Sequence, residues 1–119
     1  MPELMRLEAG SAESRDRVEL VLSRCGPVYL AALAGGRRHV GAVARRRGGA
    51  SALLVFPGHR EGPLASAAAS ALGPLLDGDL YVTAGIHYDD ATKEEIARIV
   101  ANAEGLIGEM AGRLGRAEP

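Results

Sequence analysis

The stretch Tyr81-Val82-Thr83-Ala84-Gly85-Ile86-His87-Tyr88-Asp89-Asp90-Ala91-Thr92-Lys93-Glu94-Glu95-Ile96 decides the fold. It opens as a strand, turns on a glycine, a histidine and two acids, and closes on a helix start. Thr92 and Glu95 have capping-box spacing, in which each side chain accepts a bond from the other residue's backbone N–H. Asp90 is the alternative N-cap. Beyond them Ile96, Ile99, Val100, Ala103, Ile107, Met110 and Leu114 recur at three and four residues. That period predicts a long amphipathic helix.

Upstream, Asp77-Gly78-Asp79 reads as a turn. Leu64, Ala68, Ala71, Leu72 and Leu75 mark a second helical face, begun by Pro63 and ended or kinked at Gly73-Pro74. Ala52–Phe56 reads as a short buried strand. A helix between two strands demands a crossover, so Ala52–Phe56 and Leu80–Ala84 are expected to lie parallel. Leu4–Glu8, Arg17–Ser23 and Val28–Ala34 supply earlier strands, the last two joined through Gly26-Pro27 as a hairpin. Gly35-Gly36 reads as the next hairpin turn, leading into a strand over Arg38–Ala44. Arg45–Ser51 reads as a polar turn. The predicted fold is α/β: a mixed, largely antiparallel sheet from an N-terminal meander, packed by two helices. One domain is expected over residues 1–119, with residues 1–14 and 115–119 frayed.

At 119 residues the chain buries about 70% of its unfolded surface and needs no staples. With no Trp, one Phe and three Tyr, the core must be aliphatic. The net charge of −1 offers no overall field to recruit nucleic acid or a membrane surface. No apolar run approaches the roughly 20 residues of a membrane span. Met1-Pro2-Glu3-Leu4-Met5 does not read as a signal peptide, and a cytoplasmic protein is expected. The single cysteine, Cys25, excludes an internal disulfide and a cysteine metal cluster. Arginines cluster at Arg37-Arg38 and at Arg45-Arg46-Arg47. Such clusters bind phosphate or guard a solvated strand edge.

The chain has three histidines, His39, His59 and His87, each within two residues of a glycine and at a strand start or end. Three functional readings stay open beside that of unrelated surface turns. Three imidazoles suffice for catalytic zinc. His87 beside Asp89 or Asp90 suits acid–base chemistry. His and Arg together suit an anionic or heteroaromatic ligand at a helix N-terminus. The third gains from Gly35-Gly36-Arg37-Arg38-His39 and from Gly58-His59-Arg60, which directly precedes a helix. Asp89, Asp90, Glu94 and Glu95 repel phosphate from the other helix start and read as caps or as acceptors for ligand N–H and O–H groups. A phosphate is therefore expected near Arg37, Arg38 and Gly58–Arg60. No nucleophile–base pair is evident, so no catalytic and no metal-ligating residue is assigned.

Taken in order, Gly35-Gly36 with His39-Val40-Gly41, Gly58-His59-Arg60-Glu61, and Thr83-Ala84-Gly85-Ile86-His87-Tyr88-Asp89 with Ala91-Thr92-Lys93-Glu94-Glu95-Ile96 resemble the prenylated-flavin chaperone family. These are small D-type subunits associated with gallate and related decarboxylases of the UbiD kind. The resemblance runs from about Val28 to Glu109. It implies a proteasome-assembly-chaperone-like fold, commonly a homodimer, that binds prenylated FMN (or FMN) and delivers it to a UbiD-type decarboxylase apoenzyme. It further implies that His39, His59 and His87 border the flavin, with Gly41, Gly58 and Gly85 allowing close approach. Arg60 stands where the family carries lysine. Arg37, Arg38 and Asp89 complete the expected cofactor-binding set. Between Ala44 and Leu54 the family often carries a longer Pro- and Ser/Thr-rich loop than this chain has.

Overall fold

The computed structural model describes residues 2–37 and 39–117, so Arg38 lies outside the described residues. Six strands, β1 (Glu3–Ala9), β2 (Val18–Cys25), β3 (Val28–Gly36), β4 (Ala42–Arg47), β5 (Ala50–Val55) and β6 (Leu80–His87), form one sheet in the order β1-β2-β3-β6-β4-β5. Helix α1 (Gly62–Leu72), followed by a 3-10 turn at Gly73–Leu75, connects β5 to β6, and α2 (Lys93–Ala117) follows β6. The fold is α/β with a mixed, largely antiparallel sheet, as the residue pattern predicts.

The sheet order is the main departure from that pattern. Gly35-Gly36 does not close a hairpin between neighbours, because β6 is inserted between β3 and β4. β6 pairs parallel with β3, Tyr29 opposite Leu80 through Gly36 opposite His87, and antiparallel with β4. β5 pairs with β4 alone, so β5 and β6 run the same way without being neighbours. Two further readings change. Arg45–Arg47 belong to β4, and the turn is confined to Gly48-Gly49. β5 is exposed throughout, because it is an edge strand: Leu53, Leu54 and Val55 are 48%, 56% and 42% exposed, and Phe56 just beyond it is 39% exposed.

Both helices cover one face of the sheet. Leu20, Leu33, Ala84 and Ala42 lie in one register row across β2, β3, β6 and β4, and Leu22, Ala31, Val82 and Ala44 in the next. All eight are buried, against Ala65, Ala68, Ala69 and Leu72 of α1 and Ile99, Ala103, Leu106, Ile107 and Met110 of α2. Burying each leucine of this set contributes about 1.5–3 kcal/mol. The alternate residues, including Val21, Leu30, Ala32, Val43, Leu54, Tyr81 and Thr83, form the face without helices. The alanines of α1 and β4 let helix and sheet approach closely. The capping box of α2 forms as expected: Thr92 N–H donates to Glu95 Oε1 at 2.9 Å, and Glu95 N–H to Thr92 Oγ1 at 3.0 Å.

Candidate ligand-binding cleft

β3, β5 and β6 all run in one direction, and a histidine turn follows each or ends it. Topology therefore carries His39, His59 and His87 to one end of the sheet, where parallel strands commonly present their ligands. The His39 and His59 ring centroids are 5.0 Å apart, and those of His39 and His87 are 6.3 Å apart. The three rings stand together on a cleft of about 440 Å³ between these turns and the start of α2. A volume of this order suits a drug-sized ligand or cofactor fragment.

Close backbone packing holds the turns. Arg37 N–H donates to the His87 carbonyl at 2.9 Å, and Gly41 N–H to the Ala84 carbonyl at 2.8 Å. The His39 turn thus lies directly across the end of β6. Gly85 has no room for a side chain, because a Cβ there would overlap the His39 carbonyl group. A Cβ on Gly41 would overlap the Glu61 carboxylate and come within 2.8 Å of His59 Cδ2. The space at Gly41 and Gly85 is taken by the protein's own groups, which is how the three turns close on one another.

Each imidazole has hydrogen-bond partners within reach. His39 Nδ1 faces the Arg37 carbonyl at 3.1 Å and its Nε2 faces Glu61 Oε1 at 3.2 Å. His59 Nδ1 donates to the Pro57 carbonyl at 2.9 Å. His87 Nε2 donates to Asp89 Oδ1 at 2.8 Å. Arg37 closes on both carboxylate oxygens of Asp89 at 3.1 Å each, and Arg15 binds the Asp89 backbone carbonyl while pairing with Glu95 at 2.8 Å. The His87 hydrogen bond and then the Arg37 charge hold the Asp89 carboxyl below the usual carboxylate range. Glu61 is nearly buried at 12% exposure, and its second oxygen, Oε2, is buried without a hydrogen-bond partner.

Of the ten residues expected at a cofactor site, His39, Gly58, His59, Arg60 and His87 line the cleft. Arg37 and Asp89 pair with each other beside it, and Gly41 and Gly85 lie behind its histidines. Arg38 is outside the described residues. The rest of the lining is largely apolar and includes Leu64, Ile86, Ile99, Ile96 and Val100. The last two are 49% and 37% exposed. The periodicity puts these two on the same helical stripe as the buried Ile99, Ala103 and Met110, and that one stripe serves both core and cleft. Glu61 was visible only as a neighbour of His59. Its role depends on the β6 insertion that brings His39 beside it. Among the described residues no group of three or more His, Cys, Asp or Glu side chains is placed to hold a metal ion. None of the described helices is long and apolar enough to cross a membrane.

The described residues form a two-layer α/β fold with a cleft lined by both polar and apolar side chains. The chain matches, over residues 12–115, the family described as the prenylated flavin chaperone LpdD-like domain, and it belongs to that family. No curated protein matched the chain.

Proposed function

We propose that the chain binds prenylated FMN in the histidine cleft and hands it to a UbiD-type decarboxylase apoenzyme, acting as a carrier in the cytoplasm rather than as a catalyst. The observation that carries this reading is the mixed polar and apolar lining of the cleft. A flavin's fused ring system needs apolar surface, which Ile96, Ile99, Val100 and Leu64 supply. Its polar edge and side chain need hydrogen-bonding groups and a cation, which the histidines and Arg60 supply. The first turn of α1 holds no acidic residue, but its N-cap is Glu61, whose carboxylate lines the cleft, so Arg60 rather than the helix N-terminus is the group suited to a phosphate. The first turn of α2 carries Glu94 and Glu95 and is unsuited to one.

Purified protein mixed with prenylated FMN is expected to carry flavin absorbance through gel filtration. Absence of retained flavin at saturating cofactor overturns the reading. A stable complex with a decarboxylase apoenzyme and no flavin would instead favour a pure assembly chaperone.

The same reading includes a homodimer. The uncovered sheet face carries Val43 beside Leu54, and β5 from Ala50 to Val55 has no charged side chain to guard its edge. A second copy meeting this surface about a two-fold axis brings no like charges together along β5. Leu54→Arg is expected to yield monomers by light scattering at a concentration where the parent chain is dimeric. A parent chain that is monomeric at every concentration tested removes the dimer.

A further inference from the structure

Hydrogen-bond commitments around the three imidazoles restrict what they can offer a ligand. His39 has neither nitrogen to spare, since one faces the Arg37 carbonyl and the other faces Glu61. His59 has its Nδ1 proton on the Pro57 carbonyl, which can only accept. Its free atom is therefore Nε2, and in the neutral ring that nitrogen is a bare acceptor. His87 is the mirror case: its Nε2 proton lies on the Asp89 carboxylate, so its free atom is Nδ1, again an acceptor. The two rings hold opposite tautomers and expose the same kind of atom. Phosphate oxygens also accept, so lone pair would face lone pair if a phosphate met these nitrogens. The nearby cation lining the cleft is Arg60, which follows His59 and precedes α1.

The geometry points to a division of labour in the cleft: His59 Nε2 and His87 Nδ1 accept from ligand N–H and O–H donors, while Arg60 takes the phosphate. This rests on the flavin reading above and specifies which part of the cofactor meets which residue. On a flavin, the donors are the imide N–H of the pyrimidine ring and the hydroxyls of the ribityl chain. His39 acts as a positioning residue, held by Glu61 with its ring edge fully engaged.

The test compares prenylated FMN with its dephosphorylated form, prenylated riboflavin, at about pH 8.5, above the ordinary imidazole range. His59→Ala and His87→Ala are each expected to weaken both ligands by the same factor, about tenfold for a lost hydrogen bond to a ring nitrogen. Arg60→Ala is expected to weaken prenylated FMN about tenfold and leave prenylated riboflavin unchanged. A histidine effect that disappears with prenylated riboflavin places the phosphate on the imidazoles and overturns the inference alone. Failure of the parent chain to bind either ligand overturns the flavin reading and the inference with it. Nitrogen-15 spectra of the unmutated protein supply an arm independent of folding effects. They are expected to give the Nδ1–H tautomer for His59 and the Nε2–H tautomer for His87, with the bare nitrogen of each shifting upfield as ligand binds. The reverse tautomers, or bare nitrogens unmoved at saturation, overturn it.

Discussion

The two ends of strand β6 carry similar materials and use them differently. At the Leu80 end, Asp77 accepts a hydrogen bond from the Tyr29 hydroxyl. Asp79 lies between Arg45 at 3.5 Å and Arg47 at 3.6 Å, and the Arg45 guanidinium sits over the Tyr81 ring. A cavity of about 380 Å³ lies there, close in size to the histidine cleft. Arg46 lines it and donates to the Gly48 carbonyl at 3.0 Å, while Arg45 and Arg47 beside it pair with Asp79, although Arg45 Nε is buried without a hydrogen-bond partner. At the His87 end, two imidazoles keep a free nitrogen, Arg60 lines the cleft, and the rest of the lining is largely apolar. Cavity volume and basic-residue density therefore do not separate the ends. What separates them is whether polar groups are already committed, and whether apolar surface lines the cavity with them.

The comparison breaks most sharply through glycine. Gly85→Ala drives a Cβ into the His39 backbone, which cannot move without pulling Gly41 from Ala84. We expect a loss of about 3 kcal/mol or more in chemical denaturation. At the opposite end, the nearest atoms to a Cβ on Gly73 are Cγ and Cβ of Arg46, a side-chain base that can yield further than a clamped backbone carbonyl. Gly73→Ala is expected to cost about 1–2 kcal/mol, less than Gly85→Ala. Equal losses at the two positions would mean that the His39 turn is not clamped on β6.

Ligand binding should sort the ends next. His87→Ala removes a cleft nitrogen and also frees Asp89, and we expect flavin retention to fall about tenfold. Arg47→Ala removes a guanidinium paired with Asp79 far along the sheet, and retention is expected to stay within about twofold. Equal effects would make His87 a turn residue and return the arginine cluster to consideration.

Much of this arrangement was readable from residue types, and one step was not. The α2 capping box and stripe, the Gly73-Pro74 break and the β2–β3 hairpin follow from local rules acting within a few residues. The position of β6 does not. Gly35-Gly36 before a strand is an ordinary hairpin signal, and nothing local says that a strand 44 residues on from Gly36, starting at Leu80, will separate its two arms. That insertion makes β3, β5 and β6 co-directional and so gathers the histidines. β5 misled for a related reason. Ala52-Leu53-Leu54-Val55-Phe56 has a core composition, and only the sheet order puts it at an edge. The histidine turns themselves were legible because glycine marks where chains approach closely. What approaches Gly41 and Gly85 is another stretch of this chain.

The smallest expected difference concerns acid. Asp77 is held below its usual range first by the Tyr29 hydroxyl, and Asp89 first by the His87 ring and then by Arg37. Both folded values lie below the unfolded aspartate value of about 3.9, so each ionised carboxylate stabilises the fold above that pH. The contribution is lost as pH falls through the folded values. Asp77→Asn and Asp89→Asn should therefore lower the melting temperature slightly near neutrality and converge with the parent once pH falls below the folded values. The two differ in what restores them. The Tyr29 bond is between an uncharged donor and a carboxylate, so salt should leave the Asp77 effect nearly unchanged. Asp89 is 66% exposed and held partly by the charge of Arg37, so its effect should shrink as ionic strength approaches about 1 M. An Asp89 effect insensitive to salt would mean that the His87 hydrogen bond acts alone, and that Arg37 is free to meet a ligand.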